Sequence, residues 1–386
     1  MSNITSSINQ FITSNYNKLF KSIKGNYIDP TVSLCHHCHQ HVPAYTYESN
    51  NQYWLTKSCR VHGMSSHMIE RDYNFFKSLI YNHADSHGGV LFEVSDRCNV
   101  ECPHCYHIPD NNVADKPVAE LIAELNKWYI DSTSLCMSGA EATLHKDFIQ
   151  LITQLKTTFS SSDVFVLTNG IRLADLEYFA ECKHAGLDGT MFGLNHPSYL
   201  DNPTIRKKQL QGITNAHELG MQINYIGYTM SSLNELTDIL DETVNSNWTP
   251  NMYRIRYGSD IGRYPNQERM YVSDIFNIVR QWCKDNNKEF EILDHDNNIY
   301  HVMVSIDGMP YRLIQWCDET DIHMEQLRTG PYCNFVPDGV TNFLHQVIRR
   351  DIWKNRGITL PDVPPLRYQI TGTENTEPLD FSKLYV

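Results

Sequence analysis

From residue 89 onward, short apolar runs alternate with longer stretches whose apolar positions recur every three or four residues. The runs are "GVLFEVS" (89–95), "SLCMSG" (134–139), "DVFVLTNG" (163–170), "LDGTMFGL" (187–194), "MQINYIGYTM" (221–230) and "MYRIRYG" (252–258). They are short, rich in β-branched and aromatic residues and bounded by turn formers, which marks buried strands. Segments with helical period lie near 117–130, 146–159, 173–184, 203–219, 232–245 and 271–286. Strictly alternating strands and helices imply parallel pairing through right-handed crossovers. Six such units are too few to close an eight-stranded barrel. The expected architecture over residues 89–286 is therefore α/β, a partial (β/α)6 TIM-like barrel.

The flanks follow other patterns. Residues 33–72 form a unit with a β-like pair, "VPAYTYES" and "QYWLTKS", joined by the turn-prone Asn50-Asn51. A helical connection is expected over 73–88, and residues 1–32 read as a polar N-terminal extension able to form a short amphipathic helix. Residues 287–386 show no clear period and end in the Pro-rich "LPDVPPLRY", so an irregular C-terminal extension capping the barrel is expected.

Composition narrows the class. The 386 residues carry a formal charge of -13, from 32 Lys+Arg against 45 Asp+Glu. Non-specific nucleic-acid binding rests on cationic surface, so this balance argues against it, and Arg206, Lys207 and Lys208 read as a solvated helix face. No apolar run approaches the roughly 18 residues of a membrane span. The first 25 residues lack the apolar centre of an export signal, so a cytoplasmic location is expected. Eleven cysteines at close spacings then point to metal rather than to disulfides.

The densest cysteine group is "DRCNVECPHCYH", where Cys98, Cys102 and Cys105 are spaced C-x3-C-x2-C in the loop after the first barrel strand. In βα barrels the chemistry gathers at the C-terminal ends of the strands. Three thiolates suit zinc, with His104 or His107 as fourth ligand, or an iron–sulfur cluster with one iron left open.

The triplet, with two later segments, resembles the radical S-adenosylmethionine (SAM) superfamily. "MSGAEAT" resembles that family's Gly-Gly-Glu-Pro-Thr segment, with Gly139, Ala140, Glu141, Ala142 and Thr143 at the corresponding places. "LTNG", with Thr168, Asn169 and Gly170, ends the third strand where the family often carries the same triplet. The resemblance implies a [4Fe–4S] cluster on the three cysteines, with SAM chelating the open iron through its amino and carboxylate groups. Reductive cleavage of SAM then gives a 5′-deoxyadenosyl radical that abstracts hydrogen from an unactivated carbon. It also implies that Gly139, Ala140, Glu141, Thr143 and Asn169 border SAM, that Glu141 holds its amino group, and that oxygen must be excluded. A reductant such as flavodoxin or ferredoxin would supply the electron. Where the family places an aromatic residue before the last cysteine, this chain has His104, with Tyr106 after it as a candidate adenine neighbour.

A second metal motif lies upstream. Cys35-x2-Cys38 and Cys59-x2-His62 flank the predicted hairpin, the spacing of a zinc-ribbon or rubredoxin-like site holding zinc or mononuclear iron. His36, His37, His39 and His41 crowd the first pair. The segment from "LCHHCHQHVPA" to "IERD" resembles the N-terminal module of the radical SAM subgroup that includes tetraether synthase and a dihydropterin methyltransferase. That resemblance implies a small-molecule or lipid-like substrate and C–C bond formation, methylation or a related reaction.

Other positions are weaker signals. Cys136, Cys182 and Cys283 read as small buried hydrophobes, while Cys317 and Cys333 are candidate ligands of an auxiliary cluster, with Cys283 as a third. Asn195 ends the fourth strand, and Tyr225 and Tyr228 lie on the fifth. Arg254 and Arg256 share one face of the sixth: on the interior one of them would hold the SAM carboxylate or an anionic substrate, and on the outside they are solvated cations. Two other functions fit the same residues: radical modification of a ribosomal peptide or RNA, and a non-enzymatic protein with two zinc sites.

Overall fold

The computed structural model describes residues 25–35, 37, 41–78, 90–103, 105, 109–126, 134–196, 202–257, 270–293 and 301–314. The N-terminal extension with its expected helix, His36, Cys38, His39, His104, Tyr106, His107, Cys317, Cys333 and the Pro-rich end lie outside these residues.

The N-terminal module is a four-stranded antiparallel sheet of β1 (Asn26–Leu34), β2 (His41–Ser49), β3 (Gln52–Cys59) and β4 (Gly63–Glu70), in that order. Asn50 and Asn51 both adopt positive φ, 54° and 61°, the turn that matches strand twist in a two-residue hairpin. Ala44, Tyr53, Leu55 and Ile69 form a small core of its own. Helix α1 (Tyr73–Ser78) follows.

The main sheet has nine strands. Six are those expected: β5 (Val90–Ser95), β6 (Leu135–Gly139), β7 (Val164–Thr168), β8 (Gly189–Asn195), β9 (Gln222–Met230) and β10 (Tyr253–Tyr257). Each pairs in parallel with the next in chain order, as in an opened βα barrel. The connecting helices are α2 (Val118–Asn126), α3 (Phe148–Thr158), α4 (Leu176–His184), α5 (Pro203–Glu218) and α6 (Asn234–Asn245), with α7 (Val272–Asp285) after β10. Three further strands extend the sheet in the region expected to be an irregular cap, so that expectation is corrected there: β11 (Phe290–Ile292), β12 (His301–Ile306) and β13 (Met309–Ile314). β12 and β13 form a hairpin over Asp307-Gly308, both at positive φ. β13 then lies parallel to β10.

The two faces of this sheet differ. Phe92, Met137, Val166, Phe192, Tyr228, Ile255 and their neighbours pack under the helices as the main core. The alternate positions point the other way, where Cys136, Phe165, Met191 and Tyr225 form a separate cluster. This second face, free of helices among the described residues, is the barrel interior.

The small module is fastened to the barrel at the start of α7. The buried Glu70 carboxylate accepts from the Ser273 hydroxyl and backbone N–H, meeting free N–H groups of that helix end. Arg71 pairs with Asp274 at 3.2 Å and stacks on Tyr271, and Phe75 packs against Phe276 with centroids 4.7 Å apart.

Candidate active site and metal centre

The first-strand loop folds over the C-terminal edge of the sheet because its residues are tied down individually. Arg97 forks onto Asp115, whose side chain is only 3% exposed, and also donates to the Leu144 carbonyl. Asp115 further accepts from the Ser95 hydroxyl and the Lys146 backbone. Desolvation opposes ionisation of Asp115. The hydrogen bonds from Arg97, Lys146 and Ser95 outweigh it and hold the carboxyl below its ordinary range. This pair carries the loop's geometry and has no sequence signal beyond Arg97 standing next to Cys98.

The three thiols line this loop, all partly exposed. Side-chain amides from two strand ends reach two of the sulfurs. Asn169, just past β7, donates to Cys98 Sγ at 3.8 Å and to Asn99 at 2.8 Å. Asn195, at the end of β8, donates to Cys102 Sγ at 3.4 Å. The Val100 N–H also reaches Cys98 Sγ, at 3.4 Å, and Cys105 N–H donates to the Cys102 carbonyl. Desolvation pushes the Cys98 thiol up to about 12, and the nearby charges of Glu141, Cys102 and Cys105 add to it. Such a thiol releases its proton when it takes a metal.

Gly139, Ala140, Glu141 and Thr143 stand beside this loop. Gly139 has φ +124°, and a Cβ there would lie 2.4 Å from the Ser95 carbonyl oxygen, so the position accepts only glycine. Ala140 N–H donates to that carbonyl at 2.9 Å, closing β6 onto β5. The sequence aims the Glu141 carboxylate at the amino group of SAM. The structure shows where that carboxylate is engaged within the chain. Glu141 is 2% exposed, and its carboxylate already accepts from four protein donors. One oxygen receives Thr143 N–H (3.3 Å), Thr143 Oγ1 (2.5 Å) and Thr168 Oγ1 (2.6 Å); the other receives Asn169 N–H (2.7 Å). Glu141 thus ties the end of β6 to the end of β7, and so to the asparagine that touches Cys98. Thr143 continues the tie through its carbonyl, which accepts from Arg172 and Tyr178.

Across the interior, Arg254 lies over the Tyr225 ring at 4.4 Å, and Arg256 Nε donates to Thr229 Oγ1 at 2.7 Å. Both arginines therefore face inward. Tyr228 does not: its hydroxyl bonds Glu242 on the helix side. Cys136, Cys182 and Cys283 are all buried, Cys182 and Cys283 within the helix-packed core, as a small apolar residue would be.

The second group of donors lies at the open end of the small module. Cys35, Cys59 and His62 place one ligand atom each within 4.8 Å of one another, the one such trio among the described residues. His62 Nδ1 is 3.5 Å from Cys35 Sγ and 3.4 Å from Cys59 Sγ. Burial pushes the Cys59 thiol up, but hydrogen bonds from the His62 and Val61 backbone, the His62 ring and Cys35 outweigh it and hold it at about 7. His37 stands close, its ring 4.9 Å from that of His62. Two soft thiols and an imidazole at this separation are the donor set and spacing of a tetrahedral zinc site.

Comparison with known proteins finds two family matches along the chain. Residues 27–71 match the HMPTM N-terminal zinc ribbon domain, and residues 92–243 match the radical SAM superfamily. A 7,8-dihydro-6-hydroxymethylpterin dimethyltransferase of Methanocaldococcus jannaschii is 23% identical over 188 residues, 41% of this chain and 37% of that protein. A probable GTP 3',8-cyclase of Saccharolobus islandicus is 29% identical over 143 residues, 33% of this chain and 44% of that protein. Both matches span less than half of the relative's length. A structure of Streptococcus suis SuiB bound to S-adenosylmethionine aligns at TM-score 0.38 and 12% identity, over 62% of this chain and 70% of that one.

Proposed function

We propose that this chain, which carries a radical SAM domain behind an N-terminal zinc ribbon, uses SAM to start a radical reaction on a small molecule. Cys98, Cys102 and Cys105 hold a [4Fe–4S] cluster, and SAM completes it. The observation that carries this assignment is the loop itself. Its three thiols share one strand end, and amides from β7 and β8 converge on two of them. A single zinc ion draws its thiolates to within about 4 Å of one another. Cys35, Cys59 and His62 stand close enough for such an ion, while the C-x3-C-x2-C spacing of the triad suits a cluster with one iron left open. Such a cluster, when bound, supplies the electron that cleaves the sulfonium C–S bond.

The chain's own residues do the rest. Arg97 and Asp115 hold the loop over the sheet edge, while Asn169 and Asn195 orient the sulfurs. The backbone around Gly139 and Ala140 offers SAM a close approach, with Glu141 fixing that backbone rather than touching SAM. The apolar interior at Phe165, Met191 and Tyr225 excludes water from a reactive carbon radical. Relatives named for a pterin and for GTP support a small-molecule substrate over a peptide or RNA. C–C bond formation or methylation is the reaction class. Cys35, Cys38, Cys59 and His62 hold zinc as a closed structural site.

The test is anaerobic reconstitution with iron and sulfide, followed by reduction with dithionite and addition of SAM. The expected product is 5′-deoxyadenosine. A colourless protein that holds zinc alone and leaves SAM intact would reduce the chain to a zinc-binding protein.

A further inference from the structure

The strand that carries Asn195 to the thiols is fastened by one helix. β8 outruns its neighbour β7, whose last pairing is Thr168 with Phe192. On the other side, pairing with β9 continues to Asn195 with Thr229, and His196 N–H reaches the Thr229 carbonyl at 3.5 Å. Backbone groups alternate sides along a strand. Gly193 and Asn195 therefore direct their carbonyls away from β9, past the end of β7. Helix α5 supplies donors there. Gln209 Nε2 donates to the Gly193 carbonyl and Arg206 Nη1 to the Asn195 carbonyl, each at 3.4 Å.

Arg206 carries no signal of this in the sequence. Beside Lys207 and Lys208 it reads as one more solvated cation, and those two lysines are exposed. The Arg206 side chain is only 15% exposed. Its other terminal nitrogen, Nη2, pairs with Glu242 Oε1 on α6. Glu242 Oε2 also accepts from the hydroxyl of the buried Tyr228, at 2.9 Å. A guanidinium presents its donors in a rigid planar fork, so one side chain holds a carboxylate and a carbonyl at fixed separation. Lysine, a point charge on a flexible stem, does not.

The carbonyl held in this way belongs to the residue whose amide reaches Cys102 Sγ at 3.4 Å. Fixing the Asn195 peptide fixes the base from which that short side chain extends. Hydrogen bonds weaken steeply with misalignment, so the contact with sulfur depends on where the end of β8 is held. A continuous path thus runs from Glu242 through Arg206 and Asn195 to Cys102.

We propose that Arg206 is a positioning residue for the iron–sulfur centre: anchored on Glu242, it holds the end of β8 so that the Asn195 amide stays on Cys102 Sγ. Through that bond it raises the reduction potential of the cluster, because hydrogen bonds to cluster sulfurs favour the reduced state. This role rests on the assignment of a cluster to Cys102 made above.

The experiment is an EPR-monitored redox titration of the reconstituted protein without SAM, with iron counted in every sample. Arg206→Lys keeps a charge beside Glu242 but gives up the fork. It is expected to shift the potential to a more negative value, in the direction of Asn195→Leu and by no more than that variant. Arg206→Gln is expected to shift it at least as far as Arg206→Lys. Tyr228→Phe serves as the control for stability. It loses a buried hydrogen bond and is expected to melt lower, with Arg206 still on Glu242 and the potential unchanged. Two residues that act through one contact are not additive. Arg206→Lys is therefore expected to add no further shift in the Asn195→Leu background. An unchanged potential in both Arg206 variants, an equal shift in Tyr228→Phe, or full addition in the double variant would each overturn the proposal. If Arg206→Gln does not fold, Arg206→Lys and its double variant still decide. A parent protein that assembles no cluster removes the radical reading and this role with it. A parent with a normal cluster and unmoved potentials removes the role of Arg206 alone.

Discussion

Glu141→Gln is expected to destabilise the barrel while leaving SAM binding nearly intact. The reason lies in how the carboxylate is shared. One oxygen faces Thr143 N–H and the other faces Asn169 N–H, at 3.3 and 2.7 Å, and neither backbone donor can rotate away. A glutamine of the same shape has one oxygen. Whichever way its amide is turned, its NH2 meets one of these N–H groups, donor against donor, in a site 2% exposed. Leaving a buried donor unsatisfied costs about 1–3 kcal/mol, and here both members of the clash are donors. The total is about 2–4 kcal/mol. For a domain of 150–250 residues this lowers the melting temperature by roughly 4–16 °C. Differential scanning calorimetry of the iron-loaded protein reads the shift, and titration of SAM into the same sample reads affinity, expected within about threefold of the parent. A variant that melts like the parent but binds SAM ten- to a hundredfold more weakly would refute the reasoning. It would show that the carboxylate reaches SAM despite its four internal donors.

Three further outcomes follow from the same geometry. Asp115 has a depressed pKa in the fold, so its stabilisation is present above its usual value of 3.8 and is lost as pH falls through the lower folded value. Asp115→Asn is therefore expected to cost about 2–3 kcal/mol at pH 7, with the difference from the parent shrinking in unfolding curves taken toward pH 3. A gap that persists undiminished in acid would contradict this. Cys59→Ser is expected to lose zinc, measured by elemental analysis, and to lower the melting temperature, because a closed metal site contributes folding energy. A fully stable but inactive variant would make the site catalytic instead. Asn195→Leu removes the amide from Cys102 Sγ and is expected to shift the cluster's reduction potential to a more negative value, since hydrogen bonds to cluster sulfurs favour the reduced state. An unchanged potential in an EPR-monitored redox titration would deny the asparagine that role.

The parts of this fold that local pattern dictates were legible in the chain. The six parallel strands and their helices are each long enough and regular enough to announce themselves, and the structure has all of them within a few residues. The edges were harder. β1 contains Pro30 and β4 reads "GMSSHMIE", so neither carries the alternation of a buried strand; both exist because β2 and β3 offer hydrogen-bonding edges. The β12–β13 hairpin did carry a signal, since "HVMVSIDGMPYRLI" is an alternating pattern broken by Asp307-Gly308. Its parallel docking on β10 carried none, because the pairing joins segments 58 residues apart (Tyr253 with Tyr311). The site divides in the same way. Cysteine spacing names the candidate ligands. The direction of Glu141, the Arg97–Asp115 fork and the contact of Arg206 with Asn195 depend on which element ends meet in space, and no local pattern encodes that.

The central claim is that one loop of this chain holds an iron–sulfur cluster that SAM completes. It is tested most directly by EPR of the reduced, reconstituted protein before and after SAM is added, alongside iron and sulfide counts on the parent and on Cys98→Ala, Cys102→Ala and Cys105→Ala. The account predicts four irons and four sulfides per chain in the parent, a reduced-cluster signal that changes when SAM binds, and loss of both in each variant. Parent-level iron with a SAM-responsive signal in any one of the three variants would contradict it.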